Sequence, residues 1–188
     1  LSLLEIILLL LAGAGLAQYG NFLMAILQSF INSTTYQESM TRITEGKSLL
    51  MMIFWMGIIA PAAEEMIFRW LIYLRLRDWM KLPVAAVISG VVFGIYHGNI
   101  VQGIYASILG TAFAWILEMS GNIYSSMLLH MGANIWSLVI TEYALDLFSM
   151  KYGVQILILI YLILLAGVVC CLTHFEKVYS VRKKKRMI

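Results

Sequence analysis

The chain has 188 residues, 62% of them hydrophobic and only 12% charged, with a formal net charge of +3 and a mean hydropathy of +0.88. Soluble domains carry about a quarter charged residues, so these values exclude one and point to an all-α, polytopic transmembrane bundle. The basic excess is small and gathered in VRKKKR (181–186), which reads as a membrane-surface anchor rather than a nucleic-acid site, and the adjacent Cys170 and Cys171 exclude a disulfide framework or a thiolate metal site.

Six apolar segments approach the ~20 residues that a spanning helix needs. They cover approximately 3–30, 49–74, 83–97, 101–117, 122–140 and 153–173. The first begins like a signal-peptide core, but no basic stretch precedes it and apolar sequence runs on to Phe30, so it is expected to be a transmembrane helix. The polar, mixed-charge stretch 31–48 reads as a loop or a surface-lying helix. Pro61 interrupts the second segment and is expected to begin a new helix at its first position, and Pro83 opens the third segment in the same way. Small residues recur every fourth position in the third segment (Ala86, Gly90, Gly94, Gly98) and in the fourth (Ala106, Gly110, Ala114), a pattern that lets helix backbones approach closely.

No repeat or low-complexity linker divides the chain, which is expected to be a single domain over 1–188. Placing the basic tail (174–188) in the cytoplasm puts the loop RLRDWMK (75–81) and the Ser120–Gly121 turn on the same side. The Gly98–Asn99 turn and a loop at 141–152, with Glu142, Asp146 and Lys151, then lie outside. One assignment thus places both of the most basic exposed stretches in the cytoplasm.

Polar residues inside apolar segments are expensive and need a partner or a use. Here they are Glu64, Glu65, Arg69, His97, His130 and Asn134. Glu65 and Arg69 stand four apart on one helical face and form an ion pair readily. At ~1.5 Å per residue, Glu64 lies roughly 16 Å from Arg75, His97 roughly 21 Å from Pro83, and His130 and Asn134 roughly 12 and 18 Å from Asn122. Three segments therefore bring a carboxylate, two imidazoles and an amide to a similar depth, near the middle of a ~30 Å hydrocarbon core. Each alone reads as structural: an ion pair, a histidine satisfied by a carbonyl, interhelical glue. Together they suit a site that activates water, with glutamate as general base and donors for an oxyanion. Glu5 and Glu118 are expected near membrane edges and His174 in solvent beside the tail. Ser125 and Ser126 are read as lying toward the turn, with no base paired to them.

EEMIFR (64–69), FGIYH (93–97) and HMGAN (130–134) match, in order, the motifs E-E-x-x-x-R, F-x-x-x-H and H-x-x-x-N. Over residues 61–140 the chain resembles the CPBP family of intramembrane proteases, the CAAX-protease and bacteriocin-processing (Abi) proteins, which include the Ras-converting CAAX endopeptidase. The resemblance implies that Glu64 and His97 activate water and that His130 and Asn134 form the oxyanion site. Glu65 and Arg69 would support the geometry, and Phe93 would line the pocket. It further implies an endopeptidase with no cofactor, in a cavity open to the cytoplasm or laterally to the membrane. The partners would be membrane lipids and a peptide or protein substrate such as a leader peptide or a lipidated C-terminus. Small size and compact loops fit a prokaryotic cell membrane, with the C-terminus cytoplasmic.

Two alternatives stand beside this reading. One is a zinc peptidase with Glu64, His97 and His130 as ligands, disfavoured because no H-E-x-x-H helix is present and neither histidine has an evident acidic partner. The other is a non-catalytic immunity or scaffold protein that acts by binding. Trp70, Tyr96, Tyr105, Trp115 and Trp136 are candidates for an apolar groove, although such residues more often face lipid or pack.

Overall fold

The structure, a computed structural model, describes residues 1–31, 38, 41 and 44–185. Most of the polar stretch 31–48, the side chain of Glu142 and Arg186 of the tail lie outside the described residues. The long helices are α1 (Leu3–Ile31), α2 (Leu49–Trp79), α3 (Leu82–Tyr96), α4 (Ile100–Ser120), α5 (Ile123–Ser149) and α6 (Gly153–Lys185). No strand occurs among the described residues. All but α3 are long and apolar enough to cross a membrane. The chain is an integral, multi-pass membrane protein, and its outer surface is apolar: Phe30, Leu50, Ile95 and Ile100 are all largely exposed.

Three segments run further than their apolar stretches suggest. RLRDWMK is helical as far as Trp79, because Leu and Arg favour helix; the chain then turns extended at Met80 and Lys81 to seat Pro83 in the first turn of α3. The expected loop at 141–152 is mostly the last turns of α5, and the helix ends only at Ser149. The basic tail continues α6 to Lys185, where cations suit the negative end of the helix dipole. Pro61 does not begin a new helix either. It sits inside α2, next to a wider-coiled stretch from Ile53 to Ile59 in which Ala60 N–H bonds Trp55 O, five residues back. A second such stretch runs from Met66 to Tyr73, closed by Leu74 N–H on Arg69 O.

Side-chain caps set the turns. Asn99 Oδ1 accepts from Gln102 N (3.0 Å) to start α4, and Asn122 Oδ1 accepts from Tyr124 N (3.0 Å) to start α5. The three C-terminal ends of α2, α4 and α6 meet at one end of the bundle. There Glu118 pairs with Arg77 (3.0 Å) and takes a bond from Tyr73 Oη (2.8 Å), while Arg182 Nη2 donates to the Glu118 carbonyl (3.0 Å). His174 is paired with Glu5 across 3.1 Å rather than simply solvated, which brings the start of α1 to this same basic end.

Close backbone approach holds the interior together. A Cβ on Gly94 of α3 would fall 2.3 Å from Gly103 O of α4, and one on Gly132 of α5 would fall 2.3 Å from Leu10 O of α1. The regular ridge ends there. Gly98 meets nothing and instead makes the α3–α4 turn at φ +67. The hairpin is also short: α3 has 15 residues against 31 in α2, about 22 Å against about 46 Å of rise. α2 ends and α3 begins at the basic end, so the hairpin tip stops far short of the other end of α2. Gly94→Ala is expected to lower the melting midpoint of detergent-solubilised protein, by about 1–3 kcal/mol of overpacking strain; an unchanged midpoint would refute the tight crossing.

Candidate active site

α2, α3 and α5 deliver Glu64, His97, His130 and Asn134 to one cavity of ≈ 250 Å³, lined also by Phe93. That is far more than the ~10–15 Å³ of such volume that one water needs. His130 stands between the two glutamates. Its Nδ1 lies 2.9 Å from Glu65 Oε1, and its Nε2 lies 3.6 Å from Glu64 Oε2.

The paired glutamates differ in environment. Glu64 retains some exposure to the cavity, whereas Glu65 is fully buried. Glu65 holds three partners: Arg69 Nε at 3.1 Å, His130 Nδ1, and the hydroxyl of Ser126, which donates to Oε2. Arg69 is itself completely buried, and beyond this ion pair its guanidinium nitrogens find no hydrogen-bond acceptor. It lies against two rings instead, with Cζ 4.5 Å from the centroid of Phe93 and 5.2 Å from that of Phe113. A desolvated cation on aromatic faces gains about 2 kcal/mol. Phe113 also stacks on His130 at 4.5 Å, and Phe93 lies nearly perpendicular to both histidine rings.

His97 has a defined tautomer. Its Nδ1 lies 2.9 Å from the Phe93 carbonyl, which can only accept, so Nδ1 carries the hydrogen. In the neutral ring Nε2 then holds a lone pair and can accept from water.

Asn134 is fixed by α2. In the wider coil before Pro61 each amide bonds five residues back, so residue 61 would bond Met56 O. Proline has no N–H, and Asn134 Nδ2 donates to that carbonyl instead, at 2.8 Å. The second amide hydrogen remains for the cavity. Lower down, Ser89 Oγ of α3 donates to Phe68 O of α2 at 3.0 Å.

Residues 46–136, which contain all three motifs, match the family described as type II CAAX prenyl endopeptidase Rce1-like. The motif-bearing core is thus similar to that family. A Bacillus subtilis (strain 168) protein named "Putative membrane peptidase YdiL" is 28% identical over 89 residues, which cover 47% of this chain and 36% of that protein. The chain thus spans about a third of that relative's length. No solved structure matches it.

Within this core the structure adds residues that the motifs do not name. Ser126 is one: Ser126, His130 and Asn134 recur every fourth position on α5, and that period was the available signal. Phe113, Pro61 and the Met56 carbonyl are others, and only the three-dimensional packing shows them. Of the five aromatic candidates, Tyr105 lines the cavity. Trp70, Tyr96 and Trp115 are outward-facing, and Trp136 donates to Gln18 Oε1 (2.7 Å).

A metal site was the alternative, and His130 does have an acidic partner, Glu65, which the sequence left unseen. Among the described residues, however, no three His, Cys, Asp or Glu side chains are arranged to hold a metal ion.

Two stability predictions follow from this geometry. Glu65→Gln strands the Arg69 charge and should cost about 3–5 kcal/mol, with Arg69→Met recovering part of the loss in the double variant; additive losses in denaturation would contradict the pairing. Asn134→Ala should cost about 1–3 kcal/mol by orphaning the Met56 carbonyl. In a Pro61→Ala background, which restores an amide hydrogen there, the same change should cost less; equal losses would exclude the repair.

Proposed function

We propose that the protein is an intramembrane endopeptidase that hydrolyses a peptide bond through water activated by Glu64 and His97. The observation that carries this reading is the single cavity shared by Glu64, His97, His130 and Asn134; the Rce1-like match over the same segment supports it.

The reaction runs as follows. Glu64 and His97 Nε2 accept the hydrogens of a water whose oxygen attacks the scissile carbonyl carbon, and Glu64 takes the proton. The carbonyl π bond becomes an oxyanion, which accepts from His130 Nε2–H and from the free Asn134 amide hydrogen. For His130 to donate from both nitrogens it must be an imidazolium, and the Glu65 carboxylate at its Nδ1 stabilises that charge. The formal charges then balance before attack: Arg69 and His130 positive, Glu64 and Glu65 negative. The oxyanion collapses, the C–N bond breaks, and the departing amine takes its proton from Glu64. No metal enters any step. The substrate would be a membrane-associated peptide or protein, such as a leader segment or a lipidated C-terminus.

Glu64→Gln keeps the shape but removes the base, so it should lower cleavage about 10²–10⁴-fold while leaving the thermal transition of the purified protein nearly unchanged. Proteomic comparison of membranes holding the wild type and this variant would identify the substrate. Equal cleavage by the two would exclude the mechanism. Cleavage should also persist in 1,10-phenanthroline, with no stoichiometric zinc by elemental analysis; loss of activity with the chelator, together with bound zinc, would favour the metal-dependent alternative instead.

A further inference from the structure

The cavity does not lie symmetrically in the bundle. Its upper walls come from Asn21 beyond the middle of α1, Met56 near the start of α2, Gln102 in the first turn of α4 and Ser137 just beyond the middle of α5. Each is displaced away from the basic end, where α1 begins and α2 and α4 finish. His97 sits at the tip of the short α3–α4 hairpin, just before the non-helical turn at Gly98 and Asn99. Gly98 is exposed and Asn99 partly so. Irregular backbone at membrane depth is tolerated only where protein buries it or water reaches it. The exposed Gly98 therefore calls for water at the hairpin tip, on the side of the cavity opposite Arg77, Glu118 and Arg182.

Charge fixes which end is which. Arg75, Arg77, Lys81 and the 182–185 run cluster at the basic end, joined there by the Arg77–Glu118–Arg182 contacts. The connections at the other end carry only Arg42, Lys47 and Lys151. Basic loops are retained in the cytoplasm.

We propose that the active site opens on the extracytoplasmic side and receives a peptide strand from the outer half of the bilayer. The peptide as occupant rests on the endopeptidase reading; the sidedness does not. Of the two openings that the resemblance implies, to the cytoplasm or laterally to the membrane, it departs from the first. The occupant it names is a segment of an exported or membrane-inserted peptide whose scissile bond lies beyond the bilayer midplane. Apart from Glu64 and the histidines, the polar lining is neutral: Asn21, Gln102, Tyr105, Asn134 and Ser137. Carboxamides and hydroxyls both donate and accept hydrogen bonds, which suits the main chain of an extended peptide better than a cluster of charged side chains.

The test is cysteine labelling in the full chain with Cys170 and Cys171 replaced by alanine. Single cysteines are introduced at Lys81, Asn99 and Gln102 and treated in intact cells with a membrane-impermeant maleimide, then again after permeabilisation. Asn99→Cys and Gln102→Cys should react in intact cells as fully as in opened ones, and Lys81→Cys only in opened ones. Any other pattern overturns the proposal, including a reactive Asn99→Cys beside a Gln102→Cys that stays unlabelled from outside. Should the cysteine-free background fail to fold, reporters fused to the otherwise unaltered C-terminus replace it. Green fluorescence without alkaline phosphatase activity is expected, and phosphatase activity overturns the assignment. Labelling reads sidedness whether or not the protein cleaves, and Glu64→Gln reads cleavage from either side, so the two readings fail separately.

Discussion

The buried carboxylate of Glu65 is the interaction around which the site is organised. A lone ionised group in this interior would be heavily penalised, and here three neighbours from two helices converge on it: Arg69 from its own helix, His130 and Ser126 from α5. By holding Nδ1 of His130, Glu65 turns Nε2 of that ring toward Glu64. The outer glutamate is then free to meet the cavity while the inner one is fully occupied. Two adjacent residues of the same type acquire different tasks because successive helical positions point about 100° apart.

The shape of α2 is the second constraint. A helix carrying a proline in its interior leaves a carbonyl without its amide, and wider-coiled stretches shift which carbonyl that is. In α2 the freed group is Met56 O, and it faces Asn134. The defect in one helix thus orients a side chain of another. Ser89 of α3 bonds the Phe68 carbonyl of the lower wide stretch and pins α3 against α2, so the helix bearing Phe93 and His97 is registered to the helix bearing the glutamates.

Much of the architecture could be read from residue patterns because lipid imposes simple rules. Long apolar runs became α1, α2, α4, α5 and α6, and the small-residue spacing in α3 became a crossing so tight that Gly94 nearly touches Gly103 O. Helix ends were less legible. Hydropathy marks where lipid stops, whereas α5 and α6 continue through polar sequence such as Asp146 and Arg182 because nothing there breaks a helix. At the candidate site, the residues sharing a depth could be named from their spacing. The bonds among them could not. Ser126 seemed to belong to a turn, Pro61 looked like a helix start, and Gly98 continued a regular series until its backbone proved to be left-handed. Each of these depends on what faces a residue across a helix interface, information that a single sequence does not hold locally.

Gly110 carries a consequence beyond helix contact. A methyl group there would come within 2.8 Å of Arg69 Nη2 and 2.9 Å of the Phe93 ring. The missing side chain is therefore the berth of a flat cation, slotted between two rings with its edge toward bare backbone. A lysine at position 69 could keep the sign of the charge but not fill a planar slot. The arginine acts as a rigid spacer as much as a counter-ion, setting how far apart α2, α3 and α4 stand.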